Sequence, residues 1–410
     1  MRLKLPQLCW YEKTDLELTF PDSWNVVFRR MKGHDNPKIA QDEIRTALSN
    51  PIGTAPISEL AKGKKKIVII FDDMTRPTRV SEIVPFVLEE LQVAGIQDSQ
   101  IRFICALGAH GVLTLEAFQK KLGRDIPARF PVYNHNVYDN CVSVGTTSQG
   151  TPVAINKEVM ACDLKIAIGS IVPHVFTGFG GGSKIILPGV ASIDTIVANH
   201  RQAARGGQML SIMGSEPKDN PMMADMEEAA KLAGLDIKID ALMNTWGECT
   251  HLFVGDPIAE YYAGVKVAKE VYATEMVKDA DIVIANSYAK ANEGSVAMSN
   301  GVRSLKEEGG DMVIIANAPD GQVTHYVYGS FGKESLGKLA VPRKSNPRRV
   351  NNMIIYTKNI DIASGSWYAP PENITWAKTW DDVLKKLDSQ QKEPKVAVYP
   401  DLTIQYFTEN

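Results

Sequence analysis

Five short runs rich in Ile and Val do most to restrict the possible folds: KIVIIF (66–71), RFICAL (102–107), LKIAIG (164–169), DIVIAN (281–286) and MVIIAN (312–317). Each is bounded by polar or glycine residues, the way strands buried on both faces of a parallel sheet read. Amphipathic stretches such as 81–95 and 260–277 lie between several of them. The pattern predicts an α/β chain of two domains, each a mainly parallel sheet flanked by helices. A long helical stretch at 255–280 leads into a fresh strand. The expected division is therefore an N-terminal domain over 1–270 and a smaller C-terminal domain over 271–410, with strands at 281–286, 312–316 and 395–399.

Polar groups follow four of these runs at corresponding places. KIVIIF leads into Asp72, Asp73 and Arg76; RFICAL into Gly108 and His110; LKIAIG into Pro173 and His174; DIVIAN into Ser287 and Lys290. Ligands of open α/β sheets bind beyond the carboxyl ends of the strands. One site in the cleft between the two domains is the expectation, with the smaller domain closing over the substrate. Taken singly, each group has a plainer account. Asp72 and Asp73 can begin a turn or cap a helix, Arg76 can pair with them at the surface, His110 can be a loop residue before a helix capped by Thr114, and His200 can be an exposed helix position.

Composition narrows the class. Apolar residues make up 44% of the 410, charged residues 23%, and the net charge is −3, which suits a globular chain with ample core and no basic field for nucleic acid. The basic run Lys62, Lys64, Lys65 and Lys66 reads as a solvated loop. No apolar stretch approaches the roughly 20 residues of a membrane span, and Pro6, Glu12 and Asp15 break any signal core, so a cytoplasmic enzyme is expected. The five cysteines, Cys9, Cys105, Cys141, Cys162 and Cys249, form no CxxC pair and suit neither a disulfide framework nor a structural zinc site.

The most chemically pointed segment is SIVPHVFTGFGGGSKIILPGVASIDTIVANH (170–200), which sets His174, Lys184 and His200 around a glycine-rich turn. Glycines 178, 180, 181, 182 and 189 permit close backbone approach. The phosphate loop of nucleotide hydrolases needs Gly directly before Lys and Ser or Thr directly after, whereas Lys184 stands between Ser183 and Ile185. A structural glycine turn beside a solvated lysine is the alternative.

Together, DDMTRPT (72–78), GAHG (108–111), PHVFTGFGGGSKIILPGV (173–190) and ANH (198–200) resemble the successive motifs of the lactate racemase family. The resemblance in order and spacing runs over roughly residues 65–205, and the length and two-domain pattern suit the whole chain. It implies a racemase or epimerase that inverts C2 of a 2-hydroxy acid through a nickel-pincer nucleotide, pyridinium-3,5-bisthiocarboxylic acid mononucleotide carrying nickel. It further implies that Lys184 bears the cofactor covalently, that His200 is the protein's metal ligand, and that His110 and His174 are the paired acid and base. Asp73 is then placed at the cofactor, with Gly180, Gly181, Gly182 and Ser183 lining it, and Arg76 on the substrate. Proteins that make and insert the cofactor are implied as partners.

Those residue types suit the chemistry. Taking the α-hydrogen of a 2-hydroxy acid as a proton builds charge beside an ionised carboxylate, whereas taking it as a hydride leaves a neutral ketone. A charged pyridinium is a suitable acceptor, and imidazole can take and return the hydroxyl proton near neutral pH. Sulfur donors with one histidine suit planar nickel.

The chain departs from the family's pattern in the second domain. SYAKANEGSVAMSNGVRSLKEEGG (287–310) contains no glutamine and so lacks the Gln-x-x-Lys element that contacts the substrate carboxylate in lactate racemases. Lys290 and Ser295 are the substitutes singled out. The substrate is then lactate or a longer 2-hydroxy acid, such as a sugar acid or a dicarboxylate. Two other readings stay open: a nicotinamide-dependent 2-hydroxy acid dehydrogenase, which would lack the usual GxGxxG element, and a non-catalytic nucleotide- or metal-binding protein.

Overall fold

The computed structural model describes residues 1–12, 14–203, 212–327, 345–387 and 393–408. They form two compact units, one of residues 35–270 and one of residues 1–34 with 271–410. The first 34 residues therefore group with the C-terminal unit and not, as expected from sequence, with the N-terminal one. The physical reason is strand pairing: Asn25–Phe28 lies parallel to Lys395–Tyr399, and Leu5, Leu18 and Phe20 pack into the same core as Ile282, Ile284 and Val398.

The 35–270 unit is built on six strands in the order 249–255, 237–243, 164–170, 67–72, 101–106, 132–134. All neighbours are parallel except the edge hairpin of Ile237–Met243 with Cys249–Gly255. Ile67–Asp72, Leu164–Ser170 and Ile237–Met243 are buried along their whole length. Each fully buried Ile there contributes about 1.5–3 kcal/mol. Helices cover the sheet through apolar faces at helical spacing. Val80–Val93 turns Val80, Ile83, Val84, Val87 and Leu91 onto it, the i, i+3, i+4, i+7 stripe its sequence carries.

From the central strand Ile67–Asp72 the chain first winds outward through 101–106 and 132–134, then returns to the other side through 164–170 and 237–243. The order thus reverses between 67–72 and 164–170. That is the switch point where open α/β sheets leave a crevice at their carboxyl ends.

The other unit has a six-stranded sheet, all parallel, in the order 374–377, 350–356, 310–315, 282–286, 395–399, 25–28. The expected helix over 260–277 stops at Val271. Ala273–Glu275 is instead a short strand beside Tyr406–Thr408.

Candidate active site

The site begins where Ile67–Asp72 ends. Asp73 turns the chain: its carbonyl accepts the Arg76 N–H at 3.2 Å, and its Oδ1 accepts the Thr75 N–H at 2.9 Å and the Thr75 hydroxyl at 2.5 Å. Its Oδ2 lies 2.6 Å from His110 Nδ1. Burial alone would raise the Asp73 pKa, but the charge and hydrogen bond of His110, then Arg76 and Thr75, outweigh it and hold the carboxyl well below the usual range. An ionised acceptor assigns the proton to Nδ1 of His110 and leaves Nε2 as the basic nitrogen. Arg76 is anchored on Thr75 through Nη1, at 3.0 Å to the carbonyl and 2.8 Å to the hydroxyl.

His110 stands on the turn after Ile101–Ala106, its N–H donating to the Leu107 carbonyl at 3.0 Å. Thr114 then caps the following helix Leu115–Leu122, its hydroxyl accepting the Ala117 N–H at 3.3 Å. Gly108 N–H donates to the Gly189 carbonyl at 2.8 Å, which ties this turn directly to the end of the glycine-rich segment.

Leu164–Ser170 feeds that segment through a tight hairpin, Pro173–His174 against Gly178–Phe179. His174 Nδ1 receives the Phe176 N–H at 3.2 Å and lies 3.2 Å from the Thr177 hydroxyl. The lone pair is thus on Nδ1 and the proton on Nε2, the opposite tautomer to His110. A short turn, Gly182–Ile185, then carries Lys184.

Two of the glycines have internal reasons. Gly181 sits at φ +99°, where a Cβ would come 2.7 Å from Ile171; at Gly182, with φ +53°, it would come 2.7 Å from the Tyr261 ring. Gly182 also spends its N–H on Asp240 Oδ2 at 2.6 Å. At Gly180, by contrast, the nearest atoms to a Cβ are at ordinary contact, 3.7 Å to the Val172 carbonyl oxygen and 3.9 Å to Lys184 Cε. The Ser183 hydroxyl is buried and has no hydrogen-bond partner among the described residues.

Lys184 is 8% exposed, its Nζ 4.0 Å from the Met226 sulfur. His200, on the helix Ile193–Ala203, is buried rather than an exposed helix position. Its Nδ1 lies 3.0 Å from the Ile196 carbonyl, so the proton belongs there and Nε2 is the unprotonated nitrogen. Burial, then the charge of Lys184 and that of His110, push its pKa down to about 3 against the opposing Ile196 bond. The Phe176 ring lies edge-on to both His174, at 5.8 Å between centroids, and His200, at 6.1 Å. The groups expected at one site, Asp73, Arg76, His110, His174, Lys184 and His200, thus gather at one end of one sheet.

Lys290 and Ser295 belong to the other unit. Lys290 is 1% exposed and pairs with Glu293 Oε2 at 3.1 Å. Ser295 is half-buried on the helix Gly294–Gly301, its carbonyl accepting the Ser299 hydroxyl at 2.9 Å.

Three buried polar residues escaped the sequence reading. Asp225 gathers the hydroxyls of Thr147 and Thr151 and the side-chain amides of Asn199 and Gln202 at 2.5–3.1 Å, which moors the His200 helix on both sides of that histidine. Lys121 and Asp240 lie beneath the turns that carry Asp73 and Lys184. Asp240 had a signal, since Lys238 and Asp240 alternate inside the apolar run IKIDALM. Lys121, in FQKKLG, reads like any surface lysine.

Among the described residues no three His, Cys, Asp or Glu side chains gather as a metal site, and the five cysteines are unbridged. No helix among them is long and apolar enough to cross a membrane.

This arrangement has relatives. The family model described as the lactate racemase N-terminal domain matches residues 11–209. The lactate racemase of Thermoanaerobacterium thermosaccharolyticum is 31% identical over 374 residues, covering 88% of this chain and 83% of the relative. That of Lactiplantibacillus plantarum is 29% identical over 403 residues, 90% and 91% of the two chains. Among solved structures, the lactate racemase apoprotein from Thermoanaerobacterium thermosaccharolyticum superposes with a TM-score of 0.75 at 26% identity, covering 100% of both chains. A crystal structure from Thermotoga maritima, at 17% identity and a TM-score of 0.68, shares the fold over 92% of this chain and 100% of its own. A parallel-sheet enzyme with histidines at the carboxyl ends of its strands is the class these features define, and its relatives make it an isomerase. The chain belongs to the lactate racemase family.

Proposed function

We propose that this racemase inverts C2 of a 2-hydroxy acid by reversible hydride transfer, with a nickel-pincer nucleotide joined to Lys184 and ligated by His200. The observation that carries the reading is the buried imidazole of His200, its Nδ1 3.0 Å from the Ile196 carbonyl and its ring packed on the same Phe176 that packs on His174.

The residues present fit such a group. An imidazole whose Nδ1 proton is committed to Ile196 offers Nε2 to a metal. The orphaned Ser183 hydroxyl beside Lys184 awaits a polar partner. Among the described residues no three His, Cys, Asp or Glu side chains gather as a ligand set, and burial pushes the Cys105 thiol well above its ordinary value; soft donors brought by the cofactor itself suit such a site. When bound, the group supplies a metal-bearing pyridinium that accepts a hydride from substrate C2 and returns it to either face.

The protein's share is proton handling and positioning. His110 Nε2 takes the hydroxyl proton while Asp73 stabilises the imidazolium through Nδ1–H. His174, whose proton is on Nε2, donates a hydrogen bond to the substrate oxygen, and the proton held by the His110 imidazolium returns to that oxygen as the alcohol re-forms. Arg76, fixed on Thr75, offers a planar guanidinium to the substrate carboxylate.

The absent Gln-x-x-Lys pair favours a 2-hydroxy acid longer than lactate. Co-expression with cofactor-making proteins, followed by intact mass, nickel analysis and a screen of single-enantiomer hydroxy acids for loss of optical purity, tests the reading. A mass increase that disappears in Lys184→Ala, about one nickel per chain and racemisation are expected. An unmodified, metal-free chain that leaves every acid optically pure would reject it.

A further inference from the structure

Lys121 is fully buried, and three acceptors surround its Nζ: Asp72 Oδ1 at 2.7 Å, the Asp73 carbonyl at 2.8 Å and the Arg76 carbonyl at 2.9 Å. A lysine so placed ties down both ends of the turn that carries Asp73, and through it His110, as well as Arg76. Asp72 points its other oxygen to the Thr78 hydroxyl at 2.5 Å, closing the turn from behind.

The ionic contacts do not stop at Asp72. Gly169 lies on the next strand, paired in register with Asp240 on the strand beyond. A Cβ at Gly169 would stand 3.1 Å from Lys238 Nζ, 3.3 Å from Asp240 Oδ1 and 3.4 Å from Asp72 Oδ2. The bare glycine is therefore the gap in which the three charged groups meet. Lys238 Nζ pairs with Asp240 Oδ1 at 2.5 Å and donates to the Ile239 carbonyl at 2.9 Å. Asp240 Oδ2 accepts the Gly182 N–H, one peptide from the residue before Lys184. Glu260 adjoins this end, where burial, then the charge of Asp240, pushes its carboxyl well above the usual range.

We infer that Lys121 and Asp240 are positioning residues at the two ends of one buried ionic chain, Lys121–Asp72–Lys238–Asp240, which holds the Asp73 turn and the Lys184 turn at a fixed spacing. The inference rests on the function proposed above. Neither residue is asked to exchange a proton; each acts through backbone groups of the turns. Buried charges of this kind add little stability over apolar residues, whereas misplacing reacting groups by about 1 Å costs on the order of 100-fold in rate.

The test separates charge balance from positioning. Lys121→Met leaves Asp72 buried and unpaired, so a lower melting temperature is expected. In the double variant Asp72→Asn/Lys121→Met no unpaired charge remains and melting should recover, but the Asp73 and Arg76 carbonyls still lack their donor. Amide exchange of the peptide spanning 73–78 in the apoprotein should then stay faster than in wild type. The cofactor-bearing double variant should keep the Lys184 adduct by intact mass while kcat/KM falls on the order of 100-fold. The hydroxy acid used is the one that wild type racemises fastest. Should Lys121→Met fail to fold, the double variant alone carries the comparison. Faster exchange together with lost rate supports the inference; normal exchange, or a wild-type rate, overturns it. A wild-type protein with neither adduct nor racemisation sinks the proposed function instead, and the exchange result on the apoprotein then decides whether Lys121 holds the turn.

Discussion

Asp73 Oδ2 and His110 Nδ1 lie 2.6 Å apart, joining the ends of the adjacent parallel strands Ile67–Asp72 and Ile101–Ala106. The carboxylate selects which imidazole nitrogen is basic. In Asp73→Asn the amide can turn its NH₂ toward Nδ1 and reverse that choice, so kcat should fall by on the order of 10²–10⁴ with little change in melting temperature. Steady-state rates of optical inversion beside a thermal melt check this; an unchanged kcat removes Asp73 from the proton-handling pair.

His200→Ala should separate attachment from metallation. The Lys184 mass increase is expected to persist while nickel per chain drops well below that of wild type, since in the proposed site the lysine and the imidazole would hold different parts of the cofactor. Intact mass and metal analysis on one preparation decide it, and full nickel content in the variant would assign the ligand elsewhere.

Gly182→Ala asks for a left-handed backbone and a methyl group 2.7 Å from the buried Tyr261 ring. Strain and overpacking together should cost about 2–4 kcal/mol, read as a lower denaturation midpoint. Gly180→Ala, where the space is ordinary, should cost less than about 1 kcal/mol. Equal losses at the two positions would contradict this geometry.

His135 is buried, its Nε2 2.9 Å from the Ala191 carbonyl and its Nδ1 receiving the Asn156 amide. Burial lowers its pKa from 6.5 to about 4. The unfolded chain therefore binds a proton between pH 6.5 and 4 that the folded chain refuses. Stability should fall as pH drops through that window, with His135 accounting for about 3 kcal/mol by its lower end. The fall should be shallower by one proton in His135→Gln, and identical slopes in the two proteins would exclude the residue as the source.

Much of this molecule is legible in its sequence, for a definable reason. Strands such as Ile67–Asp72 and Leu164–Ser170 are unbroken β-branched runs because both faces are covered, and the turns that follow carry polar residues no core would tolerate. Asn25–Phe28 gives no such signal: it is a four-residue edge strand, half-buried at three positions and exposed at the fourth, and its partner lies some 370 residues away. Lys121 was hidden differently. A charged residue reads as surface unless its counter-charge is known, and pairing with Asp72, 49 residues earlier in the chain, leaves no local pattern. The glycines were visible, but the ring that keeps Gly182 bare belongs to Tyr261, 79 residues downstream.

The placement of Asn25–Phe28 against Lys395–Tyr399 has a consequence for biogenesis. On the ribosome an early segment must wait, its hydrogen-bonding edge unsatisfied, until nearly the whole polypeptide has emerged, while residues 35–270 can condense as a self-sufficient insert. Stalled or truncated translation products would then retain a condensed 35–270 unit and an unpaired early strand, the combination that chaperones capture and proteases clear.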